Sequence, residues 1–294
     1  LTLYIDGKRM EGELVIPNGV THIGREAFYG RWRITSVIIP SSVTSIGDGA
    51  FEGCYKLVEV INNSRLSIIK GKDNNGFAGY YALNVKKGGT TTDIVNNDGY
   101  IFYSYGSANC LLGYVGNDTE LTLPNKHNGQ KYQISNCAFQ DCTGLTSVII
   151  PDSVASIGSY AFKGCSGLTS VTISNSVASI GEGAFYGCTG LTRVTIPDSV
   201  TSIGSHAFSY CTGLTSMIIG NNVASIGNCA IMRCAKLTSI TIPACVKKIG
   251  NQALDGCPSL KTIYYKGTES QWDSIKKGSY WNSGTVNYTI IYNA

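Results

Sequence analysis

The sequence predicts a solenoid, one short structural unit stacked on itself along an axis. Three observations carry that prediction. The phrase GLTSVIIPDSVASIGSYAFKGC, Gly144 to Cys165, recurs with variations from Gly167 to Cys188, Gly190 to Cys211 and Gly213 to Cys234. Its landmark Ile-Gly stands at Ile157, Ile180, Ile203, Ile226 and Ile249, a step of 23 residues each time. Inside each phrase the apolar anchors follow one spacing, as in Leu145, Val148 and Ile150. A fixed period of about 20–29 residues with such anchors is the pattern of a leucine-rich-repeat solenoid. Such a fold is β-rich, with short strands, turns and short 3-10 or helical segments. Each unit touches only its neighbours, so residues 1–294 are expected to form a single elongated domain.

The elements follow in order. Residues 1–13 suggest an N-terminal hairpin cap, because Leu1 to Ile5 and Glu13 to Ile16 flank the tight-turn pair Asp6-Gly7. Repeats occupy 14–71. Ile23-Gly24 and Ile46-Gly47 keep the register, and Ile69 is expected to hold the same slot in a third, degenerate coil. Residues 72–120 depart from the phrase. Tyr81 to Val85 suggests a strand. Tyr100 to Tyr103 and Cys110 to Val115, joined by a polar turn from Ser104 to Asn109, suggest an inserted β-hairpin. Repeats resume over 121–259, beginning with Leu121-Thr122-Leu123-Pro124 and a longer loop at Asn125 to Lys131. Residues 260–294 read as a C-terminal cap. It has a strand at Leu260 to Tyr265, a short helix capped at Thr268 or Ser270, and a last strand at Thr289 to Tyr292. Trp272, 23 residues after Ile249, is expected in the Ile slot, and with Trp281 it should cover the last coil.

Within a coil, most letters have a packing task. Leu145, Val148, Ile150, Val154 and Ile157 are expected inward, and Pro151 ends the strand because it cannot donate to a ladder. Gly158 is assigned to the bend. Ala161 and Phe162 fill the far side. Seven of the eleven cysteines recur in one slot: Cys54, Cys142, Cys165, Cys188, Cys211, Cys234 and Cys257. They are expected to form an inward column of buried, reduced thiols.

Several function classes lose support at this stage. The net charge is only +4, and 132–230 holds just Lys163 and Arg193 against Asp141, Asp152, Glu182 and Asp198. Lys247-Lys248 and Lys276-Lys277 are too short for a basic stripe, so they read as solvated lysines and no nucleic acid is expected as a partner. No stretch approaches the length of a membrane span. No CxxC pair occurs and the three histidines lack ligand spacing, so no metal and no other cofactor is expected. GxSxG, HExxH and P-loop motifs are missing, so no catalytic residues are assigned and no enzyme is expected.

The units reading LTSVTIPDSVTSIGxxAFxGC resemble the BspA-like leucine-rich repeats of bacterial cell-surface proteins. Asp98 to Tyr103 followed by Leu111 to Tyr114 resembles a hairpin linker of that family, and Tyr264 to Trp272 resembles its C-terminal cap. The resemblance implies a secreted or cell-surface protein that binds a host or neighbouring-cell surface protein. It transfers no catalytic set. No signal or anchoring segment is recognised within the chain, and a monomer is expected.

Two outward features are candidates for binding. One is the strand column Val15, Ile38, Ile61, Thr122, Ile149, Thr172, Thr195, Ile218, Thr241 and Tyr264, of which Ile149, Thr172, Thr195, Ile218 and Thr241 are the candidate ligand-binding residues. Beside it run Ser36, Glu59, Ser147 and their equivalents, also expected outward. The other is the Tyr-rich insert, with Tyr103 and Tyr105 near the polar turn placed to stack on a glycan. An adhesion module is thus the leading expectation. A carbohydrate-binding module using the insert and a passive spacer in a larger surface protein are the alternatives.

Overall fold

The computed structural model describes residues 12–89, 94–285 and 287–294. The chain divides into two compact units, 1–112 and 113–294. Residues 1–11 of the expected N-terminal hairpin lie outside the described residues.

Unit 1 is a short solenoid followed by a meander. Strands β1 (Gly12–Val15), β3 (Ile34–Ile39), β5 (Glu59–Asn62) and β6 (Asn84–Lys86) make one parallel sheet, with β2 (His22–Ile23) and β4 (Ser45–Ile46) paired behind it. The third coil keeps its strand but loses its phrase. Ile68, not Ile69, turns inward, and Ile69 is 49% exposed. The expected strand at Tyr81 to Val85 begins only at Asn84, where it pairs with Glu59. The insert has one more strand than expected. β7 (Ile94–Asn97) turns through Asp98-Gly99 into β8 (Tyr100–Tyr105), antiparallel to it, and β9 (Ala108–Tyr114) follows beside β8. The turn into β9 is only Gly106-Ser107, so Ser104 and Asn109, read as loop, are strand residues and share a hydrogen bond.

Unit 2 repeats the 23-residue coil. Its front ladder runs β10 (Glu120–Thr122), β12 (Ser147–Ile150) and β14 (Ser170–Ile173). It resumes as β16 (Arg193–Thr195), β18 (Ser216–Ile218), β20 (Ser239–Ile242), β22 (Thr262–Tyr265) and β24 (Thr289–Tyr292). The ladder is interrupted between β14 and β16, where Val171 and Ile173 are only half-buried. The second ladder is continuous there: β11 (Tyr132–Ile134), β13 (Val154–Ile157), β15 (Ser179–Ile180), β17 (Ser202–Ile203), β19 (Ser225–Ile226), β21 (Lys248–Ile249) and β23 (Lys276–Lys277).

The core is a set of columns, one side chain per coil. Leu145, Val148, Ile150, Val154, Ile157, Ala161, Phe162 and Cys165 are all buried. Phe139, Phe162, Phe185 and Phe208 stack with centroids 4.9, 5.1 and 5.1 Å apart and rings nearly parallel. All eleven cysteines are thiols. Six ladder thiols are buried, and each donates S–H to the carbonyl 26 residues earlier, as Cys165 does to Phe139 at 3.0 Å and Cys211 to Phe185 at 3.1 Å. Cys142 differs from expectation. It is half-buried, with Sγ 4.0 Å from the Gln140 carbonyl, because the residues one coil earlier belong to the irregular run before β10.

Gly158 serves a purpose other than the assigned bend. A Cβ there would sit 2.6 Å from the Asn136 backbone nitrogen, so glycine is required by the close approach of the preceding coil. The terminal coil also departs from the expected spacing. Lys277, not Trp272, pairs with Ile249. Trp272 instead lies on α1 (Glu269–Ser274), which Thr268 caps through a reciprocal capping box with Gln271. The buried Trp272 packs on Tyr265 at 5.1 Å and Trp281 at 5.9 Å. Lys277, read as solvated, is half-buried, with its ammonium over the Trp272 ring and donating to the Trp272 carbonyl at 2.6 Å. Burial lowers its pKa.

Candidate binding surfaces

The strand column is built by register. Parallel pairing places Thr122, Ile149 and Thr172 side by side, and separately Thr195, Ile218, Thr241, Tyr264 and Ile291. Successive residues of a strand face opposite ways. The residues that flank buried Val148 and Met217 therefore point outward. Ile149 and Ile218 are each 47% exposed, Thr172 and Thr195 are exposed, and Thr241 is half-buried. The five predicted residues do not form one strip, because the ladder stops between Thr172 and Thr195. In unit 1 the column fails at Ile61, which is fully buried. Ser36 and Glu59 of the companion column are buried too, and Glu59 pairs with Lys86 at 2.8 Å.

The two insert tyrosines have opposite fates. Tyr103 is fully buried in a cluster with Val58, Cys110 and Leu112, so it presents no ring to a ligand. Alternation alone does not separate the two, since residues two apart share a face and Phe102 is buried as well; Tyr103 is covered by Val58, Cys110 and Leu112. Tyr105, two residues on at the tip, is 47% exposed.

The sequence reasoning missed a surface at the corners of the coil in unit 2. Each coil there makes two left-handed turns. One precedes the Ala-Phe pair and is occupied by Tyr160, Gly183, His206, Cys229 and Gln252, with φ between 52° and 57°. The other precedes the ladder cysteine. Gly164, Gly187 and Gly256 hold it with φ between 67° and 71°, and Gly284 (66°) holds the equivalent place before Thr285; Asp141 (58°) fills it in the first coil, and Tyr210 (61°) and Arg233 (57°) in two consecutive coils. The corner residues form a row. The Lys163 ammonium lies 5.4 Å from the Tyr160 ring and 5.9 Å from the Tyr186 ring. Tyr186 meets Tyr210 at 5.3 Å, and the Arg233 guanidinium stands 5.5 Å from the Tyr210 ring. Beside this end of the row is an open recess of about 540 Å³, lined by Tyr210, Arg233, Asp255 and small residues including Gly256, Pro258 and Gly284. The signal in the sequence was the loss of glycine from the Gly-Cys pair at Tyr210-Cys211 and Arg233-Cys234.

Among the described residues, no cluster of three or more His, Cys, Asp or Glu is gathered as a metal site. No described helix is long and apolar enough to cross a membrane.

Comparison with known proteins fits this geometry. The profile of the BspA type leucine rich repeat region matches in six copies, over residues 10–103, 132–261 and 180–293. Direct comparison with curated proteins returns no match. Among solved structures, a leucine rich repeat protein of T. pallidum (TpLRR) superposes with a TM-score of 0.57 at 26% identity, covering 63% of this chain and 85% of that one. The pneumococcal vaccine antigen PcpA gives 0.53 at 19% identity, over 95% and 78% of the two chains, a likeness of fold. A leucine rich cell surface protein of Faecalibacterium prausnitzii gives 0.49 at 24% identity, over 91% and 62%.

Proposed function

The chain belongs to the BspA-type leucine-rich repeat family, and from that premise we propose that it is a secreted or cell-surface binding module that docks a host or neighbouring-cell surface protein. One observation carries the reading. Thr195, Ile218, Thr241, Tyr264 and Ile291 stand in register on five neighbouring strands, and none carries a charge. Strands spaced about 4.8 Å apart make this strip roughly 20 Å long. An uncharged strip of mixed Thr, Ile and Tyr side chains, rimmed by small polar residues with Arg193 at one end, suits a protein-docking face. Ser216, Ser239 and Thr262 supply that rim.

The test is retention of the purified chain on immobilised matrix proteins and on epithelial cells. Ile218→Asp, with its side chain half in solvent, should fold normally and lose that retention by at least ~10-fold, since a charge is placed where water is excluded. Undiminished retention of the variant, or no retention of the parent across such a panel, would defeat the proposal. The glycan reading through the insert is weaker, because Tyr103 is buried and only Tyr105 remains exposed. A passive spacer predicts no retention on any partner, so the same panel separates it.

A further inference from the structure

The corner row holds a second surface, separate from the strand column. Tyr210 and Arg233 take left-handed backbone at a slot that glycine fills in the coils on either side. A side chain with Cβ costs roughly 1–2 kcal/mol in that conformation relative to glycine. Packing does not explain the choice. Arg233 is exposed and Tyr210 half-buried. The Arg233 guanidinium lies over the Tyr210 ring and makes no ion pair among the described residues. Gly256 completes the arrangement. A Cβ on it would come within 3.1 Å of the Arg233 Cγ, so the glycine lets the arginine lie along the corner.

We propose that the recess bounded by Tyr210, Arg233 and Asp255 binds the carboxylated sugar unit of an acidic glycan. Each part of such a unit has a counterpart. A guanidinium pre-positioned by stacking presents its planar fork to a carboxylate. The part of the Tyr210 ring that lines the recess, beside the stacked Arg233, offers an apolar surface to sugar C–H groups. The Asp255 carboxylate accepts only, which suits hydroxyl donors. The recess of about 540 Å³ lies within the ordinary range of small-ligand sites, ~300–1,000 Å³. Gly256, Pro258 and Gly284 in its lining are small, and the recess is open to solvent. Beyond it the row continues with Tyr186 in the next coil and with Lys163 and Tyr160 together in the one after, so neighbouring sugar units would lie across the coils.

Other ligand classes fit less well. A nucleic acid needs a sustained positive track. Here Lys163 and Arg233 are offset by Glu182, which accepts from the Tyr160 hydroxyl at 2.6 Å, and by Asp255. An acidic peptide would use Arg233, but its further carboxylates would meet Asp255 with like charge. The lining holds no large aliphatic side chain to receive a peptide's apolar anchor.

The experiment passes the full chain over immobilised sialylated lactose and glucuronic-acid oligosaccharides. Lactose and cello-oligosaccharides serve as neutral counterparts, and an oligoglutamate peptide carries the same charge. Tyr210→Gly, Arg233→Gly and the double variant install the residue this slot uses elsewhere, so their melting temperatures should equal or exceed the parent's. Carboxylated glycans should be retained at least ~10-fold more tightly than neutral ones, as for a charge-assisted hydrogen bond. Each single variant should lose at least ~10-fold. The proposal is overturned if no carboxylated glycan is retained or if neutral glycans bind equally well. It is equally overturned if the folded double variant binds like the parent, or if the peptide binds more tightly than any glycan.

Discussion

The thiol column gives a prediction that can be worked through from burial alone. Cys211 is fully buried, and burial pushes its pKa from the ordinary 9.0 up to about 12. Its S–H donates to the Phe185 carbonyl, which also keeps the proton in place. The folded pKa is raised, so this stability is complete below pH 9 and is lost as pH rises. Above pH 9 the unfolded chain releases the proton and the folded chain holds it. The loss is then ~1.4 kcal/mol per pH unit until the folded pKa near 12 is reached. Between pH 9 and 11 that is roughly 2.5 kcal/mol from one side chain. Cys211→Ala removes the term. It also leaves a small hole and an unused carbonyl, costing about 1–2 kcal/mol at pH 7. The two stability curves should therefore converge and cross near pH 10–11. Urea midpoints of both proteins, measured with reductant from pH 7 to 11, provide the test. Tyrosine, lysine and the more distant thiols titrate in both chains and cancel in the difference; Cys188 and Cys234, which feel the charge of Cys211, retain a smaller residual term. Parallel curves would refute the reasoning, because they would mean that water reaches the column.

Four further changes follow from the packing. Phe185→Ala removes the middle of a four-ring stack and should cost about 3–5 kcal/mol in a denaturant titration, well above an average core truncation of one methylene. Lys86→Ala strands the carboxylate of Glu59 in a buried strand and should cost about 3 kcal/mol by the same measurement. Glu59→Ser should cost clearly less, since Lys86 can turn to water and Ser36 holds the same buried slot one coil earlier. Thr268→Ala deletes one half of the capping box and should lower stability by ~1 kcal/mol, read by thermal unfolding.

Much of the fold was legible because packing repeats. Leu145 to Cys165 is one coil, and every inward letter of it is buried. The errors fall where repetition stops. Ile69 and Trp272 were placed by counting 23 residues from the previous landmark. A degenerate third coil turns Ile68 inward instead. A five-residue lengthening at α1 hands the Ile249 partnership to Lys277. Counting along the chain cannot see an insertion whose ends return to register. Tyr103 was misjudged for a related reason. Its burial comes from Val58, a residue 45 positions away in the chain, packing over it with Cys110 and Leu112, a contact that nearness to the turn does not reveal. The corner row was unreadable as a site because its members lie about 23 residues apart and vary in type. Only the close stacking of coils brings Tyr186 to Tyr210 and Tyr210 to Arg233.

A stacked coil divides its letters by what stacking permits. An inward residue meets its equivalents above and below, so a change there disturbs two neighbours at once. The Phe stack, the thiols and Gly158 are held in this way. A left-handed corner is different. Its backbone shape is set by hydrogen bonds between coils, such as Arg233 N–H to the Asp255 carbonyl at 2.7 Å and Tyr210 N–H to the Met232 carbonyl at 2.8 Å. At the slot before the ladder cysteine the side chain is not part of the inward columns, so the corner accepts Asp, Gly, Tyr or Arg while the core is unchanged. Variation at such a position is limited by a strain of roughly 1–2 kcal/mol, a modest cost for a solenoid whose core columns are shared across coils. Corner positions are therefore where this scaffold can gain a ligand contact without changing its fold. The pair Tyr210 and Arg233, side by side between the glycines of the coils that flank them, marks the place to look first.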